Sequence, residues 1–406
     1  MNVQQVYTLV NNATQESIGE SAVVEQDLSN IVDIGTAVFN ANAEDNYVKS
    51  LVNQIGKIVF VDRAYSGSVP SVLMDAWEFG SVLEKISTEM PDATENKSWE
   101  LTDGQTYDQD VFKKPNVSTK FFNDRVTFEI QNSITEKQVK ESFQNATQLN
   151  SFISMLFSWV DKSMTVKLNR LIMSTINSMI ARTIFDDYSD SISSSDTYLG
   201  AKSGTKAINL LYLYNEKYSK TLAAEDCCTD TEFIKFATYI INLYVTRLND
   251  MSVIFNIDGK ERFTPKDKMH IVLLNEFNSG AKSYLQADTF NKELARLPEA
   301  ETVSCWQGTG TDFAFSSTSA IDVKIKTDSS TGTTKIVTTS GILGVIFDHE
   351  ALGVSNLDRR MTTHHNARAE FYNNWFKMDA GYFNDTAENC IVFFVADKRP
   401  DPDPSV

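Results

Sequence analysis

Residues 151–182 read SFISMLFSWVDKSMTVKLNRLIMSTINSMIAR, with no Gly or Pro in the run. Asn150 or Ser151 can cap the start of a helix here by accepting a bond from a free backbone N–H. A helix of about 32 residues would be roughly 48 Å long. On spacing alone, a core helix in any large α+β domain fits equally well. Most apolar side chains fall on one helical stripe: Phe152, Leu156, Trp159, Val160, Met164, Leu168, Leu171, Ile172, Ile176, Met179 and Ile180.

Length and charge restrict the function classes. The chain has 406 residues and a formal net charge of −17, which is enough length for two or three domains with a sizeable core. Most surfaces of such a chain would repel duplex DNA or an anionic membrane. Lys113-Lys114 and Arg359-Arg360 are the basic clusters that stand out, and two adjacent charges usually mark solvated surface. The sequence therefore predicts neither specific nucleic-acid recognition nor membrane binding.

The N-terminal residues, the apolar stretches and the cysteines predict the cellular compartment of the protein. The start, Met1 to Gln5, has no basic region followed by an apolar run, so we expect no signal peptide. The longest apolar stretches, such as Ile391–Ala396, are too short for a bilayer. Without regular cysteine spacing we expect reduced thiols in a cytosolic protein. The cysteines are Cys227, Cys228, Cys305 and Cys390.

The N-terminal part of the chain is polar. Residues 1–45 are rich in Asn, Gln, Ser and Glu, and this composition favours an extended arm that is ordered only against something else. From Asp45, apolar spacing predicts a short helix that ends at Gly56. Ile58–Val61 is predicted to be a buried strand.

Residues 69–134 indicate a long two-stranded hairpin. Trp77 and Phe79 lie on one side of an extended outgoing run, and Val126, Phe128 and Ile130 alternate with polar residues on the return. The stretch 91–115 between them is polar and rich in turn residues. A lone two-stranded hairpin is marginal in water, and its edges invite pairing with another chain. Either the hairpin folds back on its own domain, or a neighbouring subunit supports it.

Aromatic residues of this hairpin are candidate contact residues. A nucleic-acid stacking platform would need basic neighbours to follow the phosphates, but carboxylates such as Glu100 and Asp103 surround these rings. Aromatic side chains are enriched at the cores of protein interfaces, so we expect contacts with another subunit. The candidates are Trp77, Phe79, Trp99, Tyr107, Phe112, Phe121 and Phe122.

Helices and strands alternate in the rest of the chain. We expect Thr135–Leu149 to be helical and to lead into the long helix. Ile321, Val323 and Ile325 alternate with polar residues and predict one arm of a β-hairpin. Helices are expected at Thr205–Tyr218, Asp230–Leu248 and Lys282–Leu297, and strands at Ile271–Leu274, Lys335–Thr338, Gly344–Phe347, Ala367–Phe371 and Ile391–Ala396.

The common catalytic and metal motifs fail at specific positions. Gly204 is followed by Thr205 before Lys206, so the phosphate-loop register is wrong. His349-Glu350 begins like a zinc-protease motif, but Gly353 stands where the second His is needed. Adjacent His364 and His365 would point to opposite sides of a strand, and no nucleophile elbow is present. We therefore predict no catalytic residue, no metal and no cofactor.

The order of parts resembles that of tailed-bacteriophage major capsid proteins, over nearly the whole chain. The stretches that carry the resemblance are Tyr47–Val59, Pro115–Val117, Ala369–Phe376 and Asn389–Val395, and they look most like capsid proteins of short-tailed phages.

The resemblance implies an α+β fold with an N-terminal arm, an extended hairpin loop, a peripheral domain with a long spine helix, and an axial domain. The arm would be residues 1–45 and the hairpin loop 69–134. The axial domain would be 186–341 and the tail 400–406. The peripheral domain would combine 46–68, 135–185 and 342–399, with the spine helix at 151–182.

A structural role follows from the resemblance. Identical subunits would form pentamers and hexamers of a phage head around packaged double-stranded DNA, with the hairpin lying over an adjacent subunit. An acidic lumen would let DNA slide rather than adhere. Further partners would be portal and scaffolding proteins, together with decoration or tail proteins. The protein would be found in the virion, after assembly in the bacterial cytoplasm.

Two alternatives stay open from the sequence. An encapsulin-like nanocompartment would share the fold but enclose enzymes. A monomeric enzyme or binding protein would need a site assembled from dispersed residues, for example around His349 and His364.

Overall fold

The computed structural model describes most of the chain, and all structural statements concern the residues it describes. These are residues 3–19, 24–26, 30–40, 46–47, 50, 69–74, 83–88, 91, 93, 95–107, 110, 112, 114–135, 137, 146–188, 204–288, 297–309, 320–326 and 334–396. Of the expected helix after Asp45, residues 46, 47 and 50 are described, and they are helical. The rest of that helix, the strand Ile58–Val61, most of the expected helix Thr135–Leu149 and the tail 400–406 lie outside the described residues.

The chain divides into two compact units. The first comprises Met1–Glu78, Arg125–Ile172 and Val354–Gly381, and the second comprises Phe79–Asp124, Met173–Gly353 and Tyr382–Val406.

The N-terminal segment is helical, and the expected extended arm is wrong. Helix α1 runs from Val3 to Ile18 and helix α2 from Ile31 to Asn40. Val10 and Ala13 of α1, and Ile34 and Val38 of α2, are buried. These apolar residues are few, but each pair is three or four positions apart, which is helical spacing. The polar composition hid this pattern.

The long helix is confirmed and is longer than expected. Helix α3 runs from Ala146 to Tyr188, 43 residues, so it begins before Asn150 and continues past Arg182. Trp159 was expected on the buried stripe but is exposed. The following side chains are buried: Val160, Met164, Leu168, Ile172, Ile176, Met179 and Ile180. Among the described residues, no helix combines the length and apolar character that a bilayer crossing requires.

The first unit contains a four-stranded sheet in the order β1-β12-β13-β4, formed by Leu73–Met74, Leu352–Asn366, Phe371–Asn384 and Arg125–Thr135. β13 pairs with β4 in antiparallel register from Phe371 opposite Thr135 to Gly381 opposite Arg125. The apolar return arm of the expected hairpin is therefore β4, and its partner is β13. Periodicity identified the strand, but it could not identify a partner some 250 residues away. The expected strand Ala367–Phe371 is wrong up to residue 370, because these residues form a turn between β12 and β13.

The second unit is built on a five-stranded sheet in the order β5-β14-β11-β6-β7. Every residue of β11 and β14 is buried, as the apolar runs predict. Both strands pair with strands from 186–341 and share this unit with the part of the long helix from Met173 onward. The strands are β5 (Ala207–Asn209), β6 (Met269–Leu274), β7 (Glu301–Val303), β11 (Ile342–Asp348) and β14 (Cys390–Phe394).

Helices α4 (Leu210–Tyr218), α5 (Thr231–Arg247) and α6 (Asn275–Asp288) belong to the same unit. α4 begins later than expected because strand β5 occupies residues 207–209 and Asn209 caps the helix, accepting from Tyr212 N. Asp230 caps α5 by accepting from Phe233 N. α6 begins seven residues before the expected Lys282.

Two smaller sheets complete the second unit. β9 (Ala320–Lys326) pairs antiparallel with β10 (Thr334–Ser340), with Ile325 opposite Lys335, which confirms that hairpin. β8 (Gln307–Thr309) lies parallel to β9. The other sheet is a two-stranded hairpin of β2 (Leu83–Thr88) and β3 (Val117–Phe122).

Candidate functional site

The hairpin of β2 and β3 has two chemically different faces. Side chains alternate between half-buried and exposed along β2, as the period of two requires. The exposed face of the hairpin carries Ile86, Val117 and Phe121. The opposite face carries Lys85 and Lys120, which are cross-strand partners. One face thus exposes three large apolar side chains, and the opposite face carries the two lysines.

Two lysines directly opposite each other should repel, and Asp385 compensates. One carboxylate oxygen of Asp385 lies 2.9 Å from Lys85 Nζ, and the other lies 2.8 Å from Lys120 Nζ. Lys85 Nζ also donates to Glu388 Oε1 at 2.7 Å, and Lys120 Nζ donates to Asp258 Oδ2 at 2.6 Å. We call these five residues the lysine anchor. They hold the base of the hairpin on the body of its own chain.

Backbone bonds position the acidic members of the anchor. Asp385 follows β13, and its own carboxylate accepts from Ala387 N at 3.0 Å, which fixes the turn before β14. Thr386 O accepts from Ile257 N and Asp258 N at 3.0 and 3.2 Å, so the loop that carries Asp258 is tied to this turn. Backbone bonds outside the hairpin thus place Asp385 and Asp258 next to each other.

Burial and charge act against each other in the anchor. The Asp385 side chain is 1% exposed. Burial raises its pKa, but bonds from Lys120, Lys85 and Ala387 N outweigh this and leave the pKa below its ordinary value. Burial lowers the pKa of Lys85, and the carboxylates of Glu388 and Asp385 reverse this, so the net shift is upward. Asp385 and Lys85 are therefore both charged at neutral pH.

Apolar packing adds to the anchor at the end of the hairpin. Phe122 is half-buried and its ring lies 5.2 Å from that of Phe383 on β13. Ser87 Oγ and Ser118 Oγ, which face each other across the strands, are 2.8 Å apart. The base of the hairpin is thus supported by its own chain, which is the first of the two alternatives that the sequence left open.

The hairpin tip, which we define as residues 89–116, has a different environment. Trp99 is 97% exposed, Phe112 86% and Tyr107 47%. A short 3-10 turn at Lys97–Trp99 and a bond from Thr102 N to Tyr107 Oη (3.0 Å) give the tip local order. Large aromatic rings exposed close together are typical of a binding surface.

The predicted contact residues therefore divide into three groups. Trp77 and Phe79 lie outside the described residues. Phe122 packs on its own chain. The structure places the remaining four in exposed positions on the hairpin, which is where an intermolecular contact would need them: Trp99, Tyr107, Phe112 and Phe121. Sequence reasoning missed the lysine anchor, because its members come from residues 85 to 388 and form no local motif.

The histidines and cysteines do not form a metal centre in the described part of the chain, where no cluster of three or more His, Cys, Asp or Glu is placed to hold an ion. His270 Nε2 and His349 Nδ1 are 2.9 Å apart. His364 is exposed, and His365 stacks on Tyr372 at 4.5 Å between ring centroids. All four cysteines are free thiols, and burial raises the pKa of Cys390 to about 12.

Comparison with known proteins gives a family. Residues 7–394 match the family model described as Phi29-like phage major capsid protein. No curated protein matches the sequence.

Three solved structures with a similar chain come from phages. A capsid structure of Staphylococcus phage Andhra shares 10% identity, covering 83% of this chain and 86% of that one, with a TM-score of 0.49. The structure titled for the head fiber and inner core protein of native bacteriophage P68 contains a chain with 10% identity, the same coverages and a TM-score of 0.48. A capsid structure of Cyanophage P-SCSP1u shares 10% identity, covering 83% and 90%, with a TM-score of 0.44. Because these scores lie below 0.5, the assignment is based on the family model.

The class of protein is thus a viral shell subunit. Since the family model covers nearly the whole sequence, the chain belongs to the Phi29-like phage major capsid proteins. It is a structural protein of the virion, identical copies of which assemble into a shell. This favours the phage capsid over the nanocompartment and the monomeric enzyme.

Proposed function

We propose that the chain forms pentamers and hexamers in which the hairpin tip of each subunit contacts an adjacent subunit. The observation that supports this is the contrast between the two parts of the hairpin. A buried carboxylate fixes its base through Lys85 and Lys120, while Trp99 and Phe112 at the tip are exposed. A firmly held base keeps an exposed tip ready for a partner without a large ordering cost.

Many copies of a modest contact suffice for a closed shell. Each tip contact is small, but ring closure makes every later contact intramolecular, so stability grows through multivalency. The exposed face of Ile86, Val117 and Phe121 adds apolar surface beside the tip. We propose no catalytic step for the protein.

The domain names and the further partners are part of the proposal. The segment 186–341 would form the axial domain around each capsomer centre, now together with β11 and β14, which share its sheet. Portal, scaffolding, decoration and tail proteins would join the shell in the bacterial cytoplasm, and the phage would be short-tailed. With a net charge of −17, the inner surface would let packaged double-stranded DNA slide.

Removal of the tip tests the role of the hairpin. Thr88 and Val117 are directly paired, so residues 89–116 can be replaced by Asn-Gly, a two-residue hairpin turn. We expect a folded subunit with the circular dichroism and thermal unfolding of the wild type, because the lysine anchor is untouched. We expect no shells by electron microscopy.

A double substitution separates the effect of the aromatic rings of the tip on assembly from the effect of loop length. Trp99→Ala with Phe112→Ala should strongly reduce shell yield. The matched control is Met251→Ala with Ile254→Ala, which removes two exposed apolar side chains outside the hairpin and should assemble normally. Normal shells from the shortened hairpin would refute the role proposed for the tip.

A further inference from the structure

A pocket on the second unit combines aromatic rings with lysines. Its volume is about 450 Å³, and it lies between α4 and α5. We call it the aromatic–lysine pocket. It is lined chiefly by Tyr214, Lys217, Tyr218, Lys235, Phe236 and Tyr239.

The pocket presents positive charge on an aromatic floor. Lys217 Nζ lies 5.4 Å from the ring centroids of Tyr218 and Phe236 and 5.7 Å from that of Tyr239, which is cation–π distance. The rings of Tyr218 and Phe236 are themselves in edge contact at 5.9 Å. Such packing holds the ammonium group in place rather than leaving it on a freely rotating chain.

The acidic residue at the rim is already paired. Glu232 accepts a hydrogen bond from Lys220 Nζ, while Lys217 and Lys235 are exposed. The lining contains two lysines and one carboxylate, so the pocket carries a positive formal charge in a chain whose net charge is −17. Tyr218 and Tyr239 are also about half exposed. An acidic segment with large apolar side chains would match this surface in charge and in chemistry.

The hairpin tip is a segment of this kind. Residues 89–116 hold seven carboxylates against three lysines, a net charge of −4. Glu100 flanks the exposed ring of Trp99, and Asp110 lies two residues before Phe112. Because Trp99 is 97% exposed and Phe112 86%, neither ring fills the pocket of its own chain.

We propose that the aromatic–lysine pocket of one copy receives the hairpin tip of a neighbouring copy. The inference rests on the proposed function, since it names the surface that the tip contacts. Tip and pocket are different patches of the same chain, so the contact is heterologous, and a heterologous contact whose rotation closes generates a ring. Each subunit gives a tip to one neighbour and takes a tip from the other.

Cross-linking in assembled shells tests this placement. Unlabelled and ¹⁵N-labelled protein are mixed before assembly, and the shells are treated with a carbodiimide, which joins lysine amines to carboxylates in contact. Mass spectrometry should find mixed-isotope peptides that join Lys217 or Lys235 to a carboxylate of the tip, such as Glu100 or Asp103. If shells form and mixed-isotope links connect the tip only to lysines outside the pocket, the inference is overturned and the proposed function stands. If the tip is linked only within its own chain, the proposed function falls as well.

Charge exchange provides an independent readout. Lys217→Glu with Lys235→Glu should lower shell yield by roughly tenfold or more, since a small loss is repeated at every contact. Glu100→Lys with Asp103→Lys should do the same, and the combined variant should recover shells.

The matched control makes the same charge change outside the pocket. Lys282→Glu with Lys324→Glu alters two exposed lysines and should assemble as the wild type does. A combined variant no better than either pair, with all variants folded by circular dichroism, would overturn the proposed contact.

Discussion

The single carboxylate of Asp385 forms ion pairs with two lysines. Two lysines face each other across the hairpin, and one buried carboxylate gives an oxygen to each. Glu388 and Asp258 share the remaining charge. Leaving a buried charge without its partner is costly, so the anchor resists partial loss more strongly than a surface ion pair would.

Replacement of Asp385 tests that cost. Asp385→Asn keeps the shape but removes the charge, and it should lower the free energy of unfolding by about 2–3 kcal/mol, measured by urea denaturation of the unassembled protein. The control is Asp379→Asn, which loses a more exposed ion pair with Arg360 at 2.7 Å and should cost less than about 1 kcal/mol. Equal effects would show that the anchor is an ordinary surface contact.

The pH dependence of the same variant has a definite sign. Folding lowers the pKa of Asp385 below its ordinary 3.8, so the unfolded chain binds the proton more readily. The stabilisation is therefore complete above about pH 4 and is lost as pH falls through the folded pKa. The difference in stability between wild type and Asp385→Asn should persist from pH 7 to pH 5 and shrink at pH 3. A difference that grows on acidification would contradict the assignment.

The environment of an individual residue could be predicted from the sequence only where the residues that determine it are close along the chain. The buried positions of the long helix, such as Leu168 and Ile176, follow from spacing alone, and both are buried. Lys85 and Asp385 are 300 positions apart in the sequence. No local motif beside either residue predicts that the two are in contact. Trp99 was predicted as a contact residue from its aromatic character and its acidic neighbours, and its side chain is exposed; its contact with another subunit stays a prediction.

At the scale of elements, the close approach of two strand ends depends on Gly341. This residue joins β10 to β11 with φ +71°, and its carbonyl accepts from Val395 N at 2.8 Å. A Cβ at this position would lie 2.1 Å from Val395 O. Both the backbone conformation and the space therefore require glycine.

A pair of glycine variants separates these two requirements. Gly259 also has positive φ, at +62°, but a Cβ there would meet nothing within 4 Å. Gly259→Ala should cost about 1 kcal/mol for the left-handed conformation, and Gly341→Ala about 3 kcal/mol or more because of the added clash. Thermal unfolding of both variants measures the difference, and similar losses would mean that the strand ends can separate freely.

Helices and strands could be predicted from the sequence where apolar residues recur at one clear helical or strand spacing. The long helix and the β9–β10 hairpin were anticipated for that reason, whereas α1 and α2 were hidden by polar composition. The hairpin was found at the correct place, but its return arm was misassigned because β4 pairs with β13. Periodicity describes the exposure of a strand, and pairing depends on residues distant in the sequence.

At the scale of the whole molecule, the account combines an anchored hairpin base with an exposed acidic and aromatic tip. Family membership establishes the shell, and the structure supplies the surfaces with which copies can meet. Because tip and pocket carry opposite charge, salt should weaken assembly. We expect shell yield to fall as sodium chloride rises from 0.1 to about 1 M, and the combined charge-exchange variant to show the same dependence. Shell yield that is insensitive to salt would argue against an electrostatic contact.

The most direct test is a cryo-electron microscopy map of shells assembled from this chain, with the density around residues 95–107 traced to its neighbours. The account predicts that Trp99 and the carboxylates beside it lie against a second copy of the chain, while Lys85 and Lys120 stay bound to Asp385 of their own. A tip that contacts only its own subunit, or that points into solvent in an intact shell, would contradict it.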